Sequence, residues 1–279
     1  MEIGIFTQVW KHRDLDGILG LMTGYGVRHT QFAMSDVGLS PMPEQIPLDA
    51  AQRIRGSFDR HGVEMDAVSG TFNMIHPDPA VVADGLQRLE TLAAACPALG
   101  TSVITLCTGT RDPENMWRRH PDNDRPEAWN DLLDVMERAL AIAEAHDVTL
   151  VVEPEQANVI HSAQRARRLL DHFGSRRLRI VIDAANLFER GAPAEVERII
   201  EAAFDLLGDD IVMAHAKDRD AQGRFVAAGQ GVLNYDHYIA QLRRIGFAGA
   251  LILHGLSEDQ APSCISMLRR TVDGGRARP

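Results

Sequence analysis

Val148-Thr-Leu-Val-Val-Glu153, Arg179-Ile-Val-Ile-Asp183, Ile211-Val-Met-Ala-His215 and Ala250-Leu-Ile-Leu-His254 are four short apolar runs, each ending on a carboxylate or an imidazole. Runs of this length, rich in Val and Ile, read as buried strands of a parallel sheet. A polar group at the end of a buried strand is costly to place unless something compensates it. The four end residues follow one another at intervals of 30, 32 and 39 positions, and a strand with its crossover helix takes roughly 30 residues. The pattern is therefore a repeated strand–helix unit whose strands all finish on a polar side chain.

The same alternation extends to the N-terminus. Strands are expected near Glu2–Thr7, His29–Ala33, Glu64–Ser69, Ser102–Cys107, Thr149–Glu153, Arg179–Asp183, Ile211–His215 and Ala250–His254. Amphipathic helical patterns fill most gaps, among them Trp129–His146, Ala194–Leu207 and Tyr235–Ile245, the last opened by Asn234 as N-cap and followed by Gly246 as C-cap. Eight such units without an obvious linker predict one α/β domain over 1–279, a single (β/α)8 TIM barrel. A doubly wound open sheet is the alternative, but no Gly-rich phosphate loop follows the first strand. The last residues, Gly274 to Pro279, are expected to fray. Thr108–Glu127, after the fourth strand, is the longest stretch without a pattern, and its Trp, Arg and His content predicts a substrate-facing loop. Asp36–Pro47 is expected to roof the same face.

Composition narrows the function classes. The 279 residues are 45% hydrophobic and 24% charged, ordinary for a globular protein, with a formal net charge of -10. That charge argues against a nucleic-acid partner, whose phosphate backbone is gripped by Lys and Arg. Three widely spaced cysteines, Cys96, Cys107 and Cys264, form no CxxC and read as buried thiols. No signal-peptide pattern and no apolar run long enough to span a membrane is visible, so a cytoplasmic protein without a membrane partner is expected.

In a parallel barrel the C-terminal strand ends share one face. Glu153, Asp183, His215 and His254 would then surround one cavity and could hold one divalent metal. Oxygen and imidazole donors together suit Mn, Co, Zn, Fe or Mg, with Mg least suited to two histidines. Any one of the four, taken alone, is equally a hydrogen-bonded structural residue.

Several segments add to this pattern: Gly70-Thr-Phe-Asn-Met-Ile-His76-Pro77, Leu150-Val-Val-Glu153-Pro154, Val181-Ile-Asp183-Ala-Ala-Asn186, His215-Ala-Lys217-Asp218, and Gly229-Gln-Gly231-Val-Leu-Asn-Tyr235 followed by Ile245-Gly-Phe-Ala-Gly249. With them the chain resembles, over nearly its whole length, the sugar phosphate isomerase/epimerase group of xylose-isomerase-like barrels. That group includes ketose 3-epimerases, inosose dehydratases and, more distantly, endonuclease IV. The resemblance implies a small-molecule carbohydrate substrate and a divalent metal, often manganese, on Glu153, Asp183, His215 and the residue at 254. It also implies pairing of barrels into homo-oligomers. In the epimerases the first and last ligands are both glutamates and serve as two bases on opposite faces of a carbon next to a carbonyl.

His254 departs from that pattern. A histidine whose ring nitrogen binds metal has no lone pair there to accept a proton, so either the ligand or the base role is open to it at that atom. Two-glutamate epimerisation gives way to one-base chemistry, such as isomerisation or elimination. Asn186 is a second departure, since many relatives carry His there; it is expected to contact a substrate hydroxyl or to bond backbone. Lys217 would stabilise an oxyanion or pair with a carboxylate. Trp10 would stack on a sugar or fill the barrel mouth, and His76 would contact substrate or order the turn before Pro77. Glu155 is expected close to the ligands and substrate, and Arg111 beside an anionic group. The expected activity is that of a metal-dependent isomerase, epimerase or lyase. The alternatives are a non-catalytic sugar-binding barrel, suggested by the altered fourth position, and an endonuclease IV-like nuclease, which the acidic charge and Asn186 disfavour.

Overall fold

The computed structural model describes residues 1–11 and 13–274. The barrel strands are β1 (Glu2–Ile5), β2 (His29–Phe32), β3 (Glu64–Ser69), β4 (Val103–Cys107), β5 (Thr149–Glu153), β6 (Leu178–Asp183), β7 (Ile211–Ala216) and, after a short hairpin of β8 (Asp218–Arg219) and β9 (Phe225–Val226), β10 (Ala250–Leu253). Neighbouring barrel strands pair in parallel, and β10 pairs with both β7 and β1 to close the barrel. Around it lie α1 (Leu15–Gly24), α2 (Leu48–His61), α3 (Pro79–Leu99), α4 (Pro126–Ala145), α5 (Ala163–Phe173), α6 (Pro193–Leu207), α7 (Tyr235–Arg244) and α8 (Ala261–Gly274). The (β/α)8 barrel expected from strand spacing is the observed fold. Of the tail expected to fray, Gly274 closes α8 and 275–279 lie outside the described residues.

Two cores hold the fold. The larger fills the space between sheet and helices. The smaller is a plug inside the barrel, made of Ala67, Val151, Val181, Met213, Ala250 and Ile252 with Phe6 and Val103 against it. Alternate residues of a strand share a face. Two positions beyond Val151, Val181, Met213 and Ile252 stand Glu153, Asp183, His215 and His254. The plug therefore aims each of the four inward and stops below them, leaving the polar ends as the floor of the barrel mouth.

Three details depart from the sequence reading. Helix α4 begins at Pro126 rather than Trp129, because proline suits the first helical position where no N–H partner is needed. The segment after β4 is held by buried polar residues. The Asn123 amide donates to Thr110 Oγ1 and to the Ala157 carbonyl at 2.8 Å, and its oxygen accepts from Arg111 N. The β8–β9 hairpin has strands too short to leave a periodic signal. The Asn234 cap is present, its side chain accepting from His237 N, and Gly246 adopts φ +69° just past the helix.

Helix α7 is pinned to the strands that carry the site. The buried Tyr238 hydroxyl lies 3.0 Å from the Ile182 carbonyl and 3.1 Å from that of His215. Tyr238→Phe is expected to lower unfolding free energy by about 1 kcal/mol, the net worth of a buried hydrogen bond. Urea denaturation with an unchanged m-value is the measurement that checks it.

Candidate metal and substrate site

The four strand-end residues converge. One donor atom from each of Glu153, Asp183, His215 and His254 lies within 4.8 Å of the others. Asp183 is at the centre and 0% exposed. Its Oδ2 accepts from His254 Nε2 at 2.9 Å and lies 3.1 Å from Lys217 Nζ, while Oδ1 accepts from Ala185 N at 3.0 Å. Lys217 also donates to Asn186 Oδ1 at 2.9 Å, and Asn186 Nδ2 donates to Glu153 Oε1 at 2.6 Å. A continuous chain of contacts thus runs from His254 through Asp183, Lys217 and Asn186 to Glu153. His215 Nδ1 is 3.5 Å from Glu153 Oε1, buried, and without a hydrogen-bond partner among the described residues.

These contacts set the charges. Burial pushes the Asp183 carboxyl up, but the Lys217 ammonium and the His254 hydrogen bond overcome it and hold the group below the usual carboxylate range. Burial likewise opposes ionisation of Glu153, and only a protonated His215 beside it, together with the Lys217 ammonium, would turn the balance downward. His254 is pushed down by burial and by the neighbouring His215 and Lys217. The arrangement is therefore two carboxylates and a neutral His254 that donates its Nε2 proton to Asp183.

This donor set fits a divalent cation. Carboxylate oxygen and imidazole nitrogen are the ligands that Zn, Mn, Fe and Co accept. The unpartnered His215 Nδ1 is the kind of orphan that a ligated ion would satisfy. Glu153, Asp183 and His215 present lone pairs as they stand. His254 Nε2 joins them only by giving up its proton and its bond to Asp183.

The other expected site residues are placed less uniformly. Asn186 has both ends of its amide engaged by Glu153 and Lys217, so it bridges two site residues. Lys217 is taken up by Asp183, by Asn186 and by the face of Phe225, 4.0 Å from the ring centroid. Glu155 caps the following turn, accepting from Ala157 N and Asn158 Nδ2, and burial pushes its carboxyl up. It also lines a side cavity of about 340 Å3 with Trp117, Arg219 and Phe225. Trp10 is 1% exposed in the core and has no open face for a sugar. His76 orders its turn, accepting from Asp78 N and contacting the Pro113 carbonyl. Arg111 is neutralised by Asp131 and donates to the Ile75 carbonyl. In this structure Trp10 is packed in the core and His76 orders the turn before Pro77, the second readings open to each, while Arg111 meets a carboxylate of its own chain.

A cleft of about 880 Å3 opens beside His254 and is lined by Phe6, Gln8, Phe225, Gln230 and Glu258, whose carboxylate pairs with Arg13. Two residues here escaped the sequence reading. Phe225, on the hairpin, is 46% exposed and also stacks with Arg219 at 3.8 Å. Gln31 bonds His215, and its one signal was an amide within the short strand β2. The Asp218 carboxylate accepts from the backbone N–H groups of Arg219, Gly229, Gly231 and Leu233. A Cβ on Gly231 would stand 2.1 Å from the Arg219 carbonyl oxygen and 2.2 Å from Asp218 Oδ1. The Asp and the second Gly of the sequence motif therefore fold this loop.

A family model described as xylose isomerase-like TIM barrel matches residues 25–271. A comparison with curated proteins gives no match. Solved structures similar to the chain include a probable 3-DHS dehydratase, AsbF, from Bacillus anthracis, with TM-score 0.74 and 13% identity, covering 98% of this chain and 99% of that one. D-psicose 3-epimerase with D-tagatose from Clostridium cellulolyticum H10 gives 0.72 and 16%, covering 98% and 99%. The IolI protein with a bound zinc atom gives 0.72 and 15%, covering 98% and 97%. At these identities the likeness shows the fold. No helix among the described residues is long and apolar enough to cross a membrane.

Removing the cation beside Asp183 tests the electrostatic account. Asp183 titrates below its unfolded value, so its stabilisation is present above pH ~4 and fades as acid protonates it. Lys217→Met is expected to cost about 3–5 kcal/mol at pH 7, the penalty for leaving a buried charge unpaired. The gap to wild type should narrow as pH is lowered, as read by urea denaturation across pH.

Proposed function

The chain belongs to the xylose isomerase-like TIM barrel family, and on that footing we propose that it is a divalent-metal enzyme that removes a proton next to the carbonyl of a sugar or polyol-derived substrate. The observation that carries this reading is the convergence of Glu153, Asp183, His215 and His254 within 4.8 Å, with His215 Nδ1 unpartnered. The epimerase and dehydratase among its structural neighbours support the substrate class. The neighbour that holds zinc supports the metal. Manganese leads among the candidate metals by family resemblance, with Co, Zn, Fe and Mg as the others.

A divalent ion on these residues would supply positive charge to polarise the substrate carbonyl and stabilise the charge that develops when the neighbouring proton leaves. Glu153 is the base. Asn186 holds its Oε1, and among the described residues Oε2 accepts no hydrogen bond, so that oxygen is free to take the proton. Lys217 acts as a positioning residue that keeps Asp183 ionised and Asn186 in place. His254 offers one imidazole where a second carboxylate base would be needed to deliver a proton to the opposite face. The arrangement therefore favours one-base chemistry: Glu153 returns the proton to an adjacent carbon or oxygen, or a leaving group departs. Phe225 lines the cleft beside His254, by which a substrate would reach the reacting groups.

Elemental analysis of the purified protein is expected to give one Mn, Zn, Co or Fe per chain. Candidate ketoses should exchange a carbon-bound proton with D2O, and Glu153→Gln should slow that exchange by about 10²–10⁴-fold, the usual worth of a general base. A protein with no bound metal and no response to added Mn, Co or Zn would defeat the metal-dependent reading. His254→Glu sets two carboxylates against each other at Asp183 Oδ2. Its metal-free form is expected to melt below wild type, and Mn²⁺ should raise its midpoint by more than it raises that of wild type, as followed by thermal denaturation.

A further inference from the structure

A neutral imidazole carries one N–H and one lone pair, and which nitrogen holds which is set by its surroundings. In His215, Nε2 lies 2.8 Å from Gln31 Oε1. A carboxamide oxygen only accepts, so the proton resides on Nε2 and the lone pair on Nδ1. That lone pair faces Glu153 Oε1 at 3.5 Å, buried and without a hydrogen-bond partner. Gln31 is itself 5% exposed, and its amide nitrogen lies 3.1 Å from Thr105 Oγ1. The Thr105 hydroxyl, which accepts as readily as it donates, holds the Gln31 side chain against His215, and the amide stands with its oxygen toward Nε2. With the amide turned over, its NH2 group would face Nε2 and the ring proton would move to Nδ1. His215 would then donate to Glu153 and present no lone pair to the site.

We infer that Gln31, held by Thr105, is the positioning residue that fixes His215 in the tautomer able to bind metal through Nδ1. The inference rests on the metal reading above and goes beyond it by assigning a residue outside the four ligands. It draws on three strands: Thr105 on β4, Gln31 on β2 and His215 on β7. Metal-bound histidines commonly donate their second N–H to a carboxylate or carbonyl, which raises ligand basicity. Here the acceptor is a neutral carboxamide, so replacing it by a carboxylate strengthens the same interaction, and replacing it by a thioether of similar size removes it.

The test uses the full chain, stripped of metal, with Mn²⁺ and Zn²⁺ as probes in calorimetric titrations. Gln31→Met is expected to weaken binding by about 10–100-fold, the usual cost of losing such a partner. Gln31→Glu is expected to bind at least as tightly as wild type, a rescue that a packing role would not give. In parallel, ¹⁵N NMR of the metal-free protein should show the His215 ring protonated at Nε2 in wild type and in Gln31→Glu, and at Nδ1 or mixed in Gln31→Met. Circular dichroism establishes that the variants are folded. Equal affinity of Gln31→Met and wild type, or an unchanged His215 tautomer in Gln31→Met, would overturn the inference. Wild type that binds neither ion defeats the metal reading, and the NMR comparison then decides the role of Gln31 by itself.

Discussion

The neutralisation of Asp183 governs the mouth of this barrel. A fully buried carboxylate is stable only where partners return what dehydration removes. Here the partners are the Lys217 ammonium, the His254 N–H and the Ala185 amide, which come from three separate strand ends. Those strand ends are placed by the apolar plug beneath them, and the plug is a product of simple alternation along β5, β6, β7 and β10. The same lysine reaches Asn186, which in turn holds Glu153. One charge balance thus orders the carboxylate expected to bind metal and the carboxylate expected to move a proton.

Much of this was legible in the sequence because strand periodicity is a local property. Two consecutive inward positions, the apolar residue and the polar one that follows it, were enough to place Glu153, Asp183, His215 and His254 on one face. Trp10, His76 and Arg111 were harder, because their fates depend on contacts distant in sequence. Arg111 meets Asp131 from the next helix, and His76 reaches Pro113 in a neighbouring loop. Side-chain type alone does not distinguish a residue waiting for substrate from one already satisfied by the protein. Gln31 lies at the opposite extreme. Its chemistry is modest, and its importance emerges only from what it faces across the barrel.

His254 gives the site its individual character. Burial and its neighbours favour the neutral form of the imidazole at this position, so in the proposed reading the set of four would bring two negative charges to a divalent ion. A third carboxylate would leave the complex negative, repelling an enediolate as it forms. On that reading the histidine would ease the build-up of negative charge on the substrate while removing the second proton shuttle. The two consequences point the same way, toward reactions in which one base does all the proton transfer.

The Asp218 cage carries a broader lesson about recognising proteins of this kind. Its carboxylate collects four backbone N–H groups, and Gly231 is required because the approaching chain leaves no room for a Cβ. None of those atoms is a proposed ligand or base. A search pattern built on this Asp and the glycines that follow it would gather chains by how one loop is wound, whatever reaction takes place beside it. Sorting them by chemistry would have to rely on the strand-end positions, where a histidine in place of a glutamate alters the charge and the donor atoms at the barrel mouth.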